Sequence, residues 1–273
     1  MAMLAEALKN KSSFKDLIDR SEYMKKFAEE HPDFFSPTGT MIFCGKQGKG
    51  KTLSAVLYVH NLMQRFPKAV LVTNVKLRDH PFNTTYKVDD DGITHYYNTL
   101  GEEIIFSREG DFPENTVIEW DGLDCLKYIN NGYKGVIYLV DEIHLELNSL
   151  ESRNIDIDVM TEISQQRKQR KHIVGTSQVY MRMAKPLREQ IFDIVICDVF
   201  FNCIQFNKLI DGEESKEVDG KLVAIVRKRV WFTHKSDYYE MYDTFAKMKR
   251  LNKEWQGHAR EPQNTFEFTV KGA

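Results

Sequence analysis

The chain has 273 residues, 42% apolar and 29% charged, with a formal net charge of −2. This is the mixture of an ordinary soluble globular protein, one large α/β domain with insertions or two small ones. The near-zero charge excludes a global pull toward nucleic acid, so phosphate contacts must come from local basic clusters.

Residues 1–36 read as an amphipathic helical arm, with Leu4, Leu8, Phe14, Leu17, Ile18, Met24 and Phe27 spaced for one or two helical faces. Packing on the core is favoured over reaching a neighbouring subunit. His31-Pro32 ends the arm, because the residue before a proline avoids the helical region. Residues 37–256 form the main domain. A short buried strand at 41–44 runs into a glycine-rich loop, and a helix follows over 51–65 until Pro67. The apolar, β-branched run 69–75 is a parallel strand covered on both faces. Residues 79–115 break the rhythm. Runs 84–88 and 93–98 flank Asp89-Asp90-Asp91-Gly92, a hairpin signal, and the segment is expected to be an antiparallel surface insertion.

Beyond it come a short strand at 116–120, a short helix at 123–129 and a buried strand at 135–140 that ends in Asp141-Glu142. A helix is predicted over 155–171, then a strand at 172–176 closing on Ser177-Gln178, and another at 191–199. A hairpin around Asp211-Gly212, a strand at 222–232 and a closing helix over 238–255 complete the domain. Residues 257–273 form a polar tail. Strands alternating with helices predict an α/β fold with a mostly parallel sheet flanked by helices.

Cys44, Cys125, Cys197 and Cys203 make no C-x-x-C pair and carry no histidine at zinc spacing, so they read as reduced thiols without a metal. The amino terminus has no signal-peptide pattern. The longest apolar stretch, 191–206, is broken by Asp193, Asp198 and Asn202, so no direct membrane span is expected. These features lead to an expectation of a cytoplasmic protein (host cytoplasm for a viral chain). Recruitment to a virion vertex or a membrane is left open.

Gly45-Lys46-Gln47-Gly48-Lys49-Gly50-Lys51-Thr52 fits G-x-x-x-x-G-K-[ST] at every fixed position, between a predicted strand and a predicted helix. A triphosphate is polyanionic. Such a loop turns backbone N–H groups inward and aims a helix N-terminus at the charge. Lys51 is expected to reach the β- and γ-phosphates of ATP, and Thr52 to ligate Mg²⁺. Asp141 and Glu142 end a buried strand, where acids point into the crevice that holds ligands in α/β sheets. Asp141 suits Mg²⁺ and Glu142 suits activation of the attacking water. Gln178 ends the next strand and would face the γ-phosphate. Arg167 and Arg170, three apart at the end of the 155–171 helix, are expected at the rim of the same crevice, where one could serve a neighbour's nucleotide. A solvated basic helix end explains them equally well.

Together these motifs resemble the FtsK–HerA superfamily of P-loop ring ATPases. The likeness is to zonula occludens toxin-type ATPases of filamentous phages and to small viral genome-packaging ATPases. Leu187-Arg188 and Tyr242-Asp243-Thr244 add to it, and it spans about residues 40–250. The resemblance implies a homohexameric ring that translocates DNA. Lys51 and Thr52 would then be the phosphate and Mg²⁺ ligands, Asp141 and Glu142 the catalytic acids and Gln178 the sensor. Arg167 or Arg170 would act in trans. It leaves three functions open: a DNA-translocating or packaging motor, a phage or element assembly ATPase that drives export through a membrane partner, and a P-loop small-molecule kinase. Lys168, Lys171 and Arg227-Lys228-Arg229 are the candidate DNA contacts.

Overall fold

A run such as Val136–Val140, apolar at every position and buried at all five, can only be a strand covered on both faces. The computed structural model builds its centre from such runs. It describes residues 25–243, apart from 28, 107–109, 148–155, 179, 181, 182, 184, 213–215, 219, 220 and 224.

In chain order the elements are β1 (Gly39–Cys44), α1 (Lys51–Arg65), β2 (Val70–Thr73), β3 (Thr84–Val88), β4 (Thr94–Asn98), β5 (Val117–Glu119), α2 (Cys125–Tyr128) and β6 (Val136–Val140). Then come α3 (Ile157–Gln165), β7 (Lys171–Ser177), α4 (Lys185–Arg188), β8 (Ile191–Phe200), β9 (Ile204–Asp211), β10 (Lys216–Val218), β11 (Lys221–Val223), β12 (Val226–Thr233) and α5 (Ser236–Glu240). Ten strands form one sheet in the order β12-β9-β8-β1-β7-β6-β2-β5-β3-β4, and β10 and β11 pair separately. The stretch from β8 to β5 is parallel. The β3–β4 hairpin closes one end, and β9 and β12 close the other with antiparallel pairing.

Two apolar layers sandwich the sheet. On one face, Leu53, Val56, Val59 and Met63 of α1 pack on Phe43, Leu71, Ile137 and Val174. On the other, Leu126, Val159 and Ile163 pack on Ile42, Tyr138 and Ile173. Each fully buried aliphatic side chain contributes about 1.5–3 kcal/mol, so this sandwich is the main source of stability. Its parallel register brings the carboxyl ends of β1, β6 and β7 to one edge. Cys44 aligns with Ser177, and Val140 with Gly175.

The expected α/β fold and mostly parallel sheet are present, and five details differ. The 79–115 segment is not a separate surface insertion: β3 joins the main sheet beside β5, and Tyr96 is buried in the core. The 155–171 helix stops at Gln165, because Arg170 adopts φ 55 and Lys171 opens β7 with its side chain buried. An extra strand, β9, separates the 191–199 strand from the expected reversal beyond Asp211-Gly212: the chain first turns back at Phe201-Asn202, both with positive φ, and returns again from β9 to the antiparallel β12. The 222–232 strand is divided between β11 and β12. Of the closing helix expected over 238–255, residues 238–240 are helical within α5, Tyr242 bridges to Leu77, and residues 244–255 lie outside the described residues. Of the amino-terminal arm, residues 25–27 and 29–30 are helical. The remainder up to residue 24, Thr244 and the tail lie outside the described residues.

Candidate nucleotide site

The glycine loop joins β1 to α1 at the carboxyl edge of the sheet. Gly50 is the N-cap of α1, in the left-handed region at φ 69 and without a side-chain cap, and no acid lies in the first turn. The first N–H groups of this 15-residue helix are thereby left for a ligand. Gly45 is forced by packing: a Cβ there would stand 2.8 Å from the Cys197 carbonyl oxygen. Lys46, Gln47 and Gly48 form the exposed tip, and Lys49 is half-buried. Lys49 Nζ pairs with Asp198 Oδ1 of β8 at 2.7 Å, and Gly45 N–H donates to Ser177 O at 3.3 Å. Strands β7 and β8 therefore hold the loop from both sides.

The side chains that the motifs single out converge here, Arg167 and Arg170 apart. Thr52 Oγ1 donates to Asp141 Oδ1 at 2.9 Å, and Thr176 Oγ1 donates to the same oxygen at 2.5 Å. Lys51 is only 7% exposed; its Nζ lies 3.4 Å from Lys46 O and 4.0 Å from Glu142 Oε1. Gln178 Nε2 donates to that same Glu142 oxygen at 3.3 Å. His144 Nδ1 stands 3.2 Å from Glu142 Oε2. Glu142 itself has φ 52, a left-handed conformation uncommon for a residue with a Cβ.

Four further residues shape the site. Asn74 clamps Asp141 by both amide atoms, accepting from Asp141 N at 2.8 Å and donating to Asp141 O at 3.1 Å. Thr176 also accepts from Glu142 N at 2.9 Å, so one hydroxyl fixes both acids. Tyr242 is buried, and its phenol is pushed up to about 12 by burial first and by the Asp141 charge second. The fourth is Gln205, fully buried on β9. Its Nε2 donates to Lys49 O at 3.1 Å and to Asn207 Oδ1 at 2.8 Å, and its Oε1 lies 3.1 Å from His234 Nε2. Asn207 Nδ2 in turn donates to Ser54 Oγ of α1 at 3.0 Å. Thr176 was legible as part of the strand-end motif. Asn74 and Gln205 carry no local signal.

Arg167 and Arg170 do not join this cluster, which corrects the expectation that they rim the carboxyl-end crevice. Both precede β7, whereas Gln178 follows it, and seven residues of strand span about 23 Å. Arg170 Cζ sits 4.1 Å from the Phe34 ring centroid and Arg167 Cζ 6.0 Å from that of Phe192, at the opposite edge of the sheet. Lys171 is also withdrawn from the candidate DNA contacts. It is 2% exposed, donating to Leu126 O at 2.6 Å and Glu162 Oε2 at 2.7 Å. Arg227 pairs with Asp193 and Asp211, while Lys168, Lys228 and Arg229 are exposed.

No protein-family model matches the sequence, and no curated protein matches it. Solved structures similar to the chain include the N-terminal domain of zonular occludens toxin from Neisseria meningitidis. It is 13% identical with a TM-score of 0.48, over 76% of this chain and 100% of that one. Another is the genome packaging NTPase B204 from Sulfolobus turreted icosahedral virus 2 in complex with ATP-gammaS. It is 10% identical with a TM-score of 0.40, over 59% of this chain and 75% of that one. The fold is that of a P-loop NTPase: a glycine loop between β1 and α1, on a mostly parallel sheet flanked by helices.

The residues present fit a nucleotide and a magnesium ion. A buried ammonium and an uncapped helix N-terminus suit phosphate. The Thr52 hydroxyl and the Asp141 carboxylate, 2.9 Å apart, offer the hard oxygen donors that Mg²⁺ prefers. When bound, Mg²⁺ would neutralise charge on the phosphates.

Proposed function

We propose that this protein is an ATP-hydrolysing motor that assembles as a homohexameric ring and translocates or packages DNA, of phage or mobile-element type. The observation that carries the reading is the position of Glu142. Its Oε1 meets both Gln178 Nε2 and the Lys51 ammonium at the mouth of the glycine loop. Thr176 and the left-handed backbone hold its main chain.

In this reading Lys51 and the loop N–H groups bind the β- and γ-phosphates, and Thr52 and Asp141 hold Mg²⁺. Glu142 takes the proton of the attacking water, and Gln178 orients it and reports the presence of the γ-phosphate to β7. A kinase would need an acceptor site and would leave Glu142 and Gln178 without work, so hydrolysis is favoured. A trans-acting arginine, Arg167 first and Arg170 second, belongs to the ring reading. No helix among the described residues is long and apolar enough to cross a membrane. A partner protein would supply any membrane or virion attachment.

The test is ATP turnover with and without DNA. Lys51→Ala is expected to abolish turnover and weaken nucleotide binding, whereas Glu142→Gln retains binding and loses turnover. DNA should stimulate the parent. Parental hydrolysis by Glu142→Gln would remove the base assignment, and no response to DNA would remove the motor reading.

A further inference from the structure

The wing formed by β8, β9 and β12 has two faces of different character. One carries Gln205 and Asn207 toward α1. On the other, Phe206 of β9 stands opposite Trp231 of β12, and Lys208 stands opposite Arg229. Asp198 of β8 continues the row beside Phe206, and Phe200 lies opposite Ile204. Near the start of β8 this face is closed by the core that buries Ile194 and Ile210. Toward the glycine loop it is open among the described residues: Trp231 is 71% and Phe200 48% exposed.

Two observations define what would cover it. Lys208 and Arg229, both exposed, are like charges set directly opposite in an antiparallel pair, an arrangement that destabilises a sheet unless an anion joins them. The nearby Asp198 carboxylate is bonded to Lys49 at 2.7 Å and also feels the Lys208 charge, so one carboxylate is shared between these cations and leaves this face net positive. The second observation is the ring array one pair further along. Phe200 and Phe206 meet edge to face with centroids 5.9 Å apart, Lys208 Nζ lies 5.5 Å from the Phe206 centroid, and the indole of Trp231 is bare. Rings at alternate positions on an open sheet, with cations beside them, suit stacked bases with tracked phosphates. A duplex hides the faces of its bases, so the exposed indole selects a single strand.

We infer that this face binds single-stranded nucleic acid, with bases on Trp231 and Phe206 and phosphates at Lys208 and Arg229. The inference rests on the DNA-moving reading and adds to it a place and a strandedness. The Asp198–Lys49 pair joins this surface directly to the nucleotide loop.

The test titrates the full-length protein into a fluorescein-labelled oligothymidylate, and separately into a labelled duplex of equal length, following anisotropy at several salt concentrations. The parent should prefer the single strand. Trp231→Ala should weaken that binding roughly tenfold, as loss of one stacked base does. Replacing Lys208 and Arg229 together by Ala should lower the slope of log affinity against log salt by about 1.4, two phosphates' worth. Affinity for a fluorescent ATP analogue should stay parental, reporting intact folding. If the parent binds the single strand and the variants bind it equally well, the surface is wrong and the DNA reading stands. Binding of duplex alone overturns the surface in the same way, and binding of neither at low salt removes both. If Trp231→Ala instead yields smaller assemblies with unchanged oligonucleotide affinity, the face is a subunit contact and the inference is overturned.

Discussion

The side-chain amide of Gln205 fills the space where a Cβ on Gly50 would stand. It also donates to the carbonyl of Lys49, immediately before that glycine. A residue 155 positions away in the chain thus sets the conformation of the loop at its most demanding point. Donors run in one direction through this group. Tyr239 OH lies 2.6 Å from His234 Nδ1 and His234 Nε2 3.1 Å from Gln205 Oε1, an order that requires the neutral imidazole protonated at Nε2.

Gly50→Ala is expected to lose nucleotide binding, because it meets both the amide of Gln205 and a positive φ. The strain and displacement should cost about 1–3 kcal/mol of stability. Gln205→Glu tests the partner: similar in volume, it cannot donate to Lys49 O. Hydrogen exchange across residues 45–52 should accelerate in the ligand-free variant, and nucleotide affinity should fall about tenfold. Parental exchange rates in this peptide would show that Gln205 does not position the loop.

Asp141→Asn addresses the metal. With one oxygen and the whole negative charge lost, the Mg²⁺ concentration for half-maximal hydrolysis should rise at least about tenfold. Nucleotide affinity measured in EDTA should not fall. An unchanged Mg²⁺ requirement would reassign the ligand.

Much of this site is local enough to be legible in the sequence. The glycine spacing, the apolar run ahead of Asp141-Glu142 and the Thr176-Ser177-Gln178 strand end each occupy a few consecutive residues, and each stands where it was expected. Asn74 and Gln205 act through strand register across 67 and 156 residues, to Asp141 and to Lys49. No window of sequence contains that information. The basic run Gln165–Lys171 misled for a different reason. Its composition suits a helix end, yet Lys171 finds Glu162 and Leu126 O inside the protein and becomes the first residue of a strand. That shift moves Arg167 and Arg170 to the far edge of the sheet.

The far-edge position sharpens the test of shared sites. Arg167→Ala should leave its own subunit's nucleotide affinity unchanged while turnover in the ring falls by on the order of 10³. Mixing it with Lys51→Ala should restore part of the activity, since some interfaces then pair an intact loop with an intact arginine. No recovery in mixed rings, with Arg170→Ala failing likewise, would end the shared-site idea.

His172 predicts an acid sensitivity. It is buried, with Nδ1 2.9 Å from Gly39 O and Nε2 3.0 Å from Tyr58 OH, and burial lowers its pKa to about 4. The unfolded chain takes up this proton near 6.5 while the folded chain does not, so stability is full above that pH and declines toward 4. The loss is at most about 3 kcal/mol. Urea melts between pH 7 and 4.5 should show a steeper decline for the parent than for His172→Gln. Equal slopes would assign the sensitivity elsewhere.

The backbone at Glu142 makes the proposed catalytic acid an uphill residue. At φ 52 a side chain with a Cβ costs roughly 1–2 kcal/mol, which the surrounding hydrogen bonds must offset. Asparagine tolerates that conformation better than glutamate does. Glu142→Asn should therefore melt no lower than the parent while turning over no ATP. At this position the demands of folding and of chemistry oppose one another. A screen for thermal robustness alone would drift toward an inert protein.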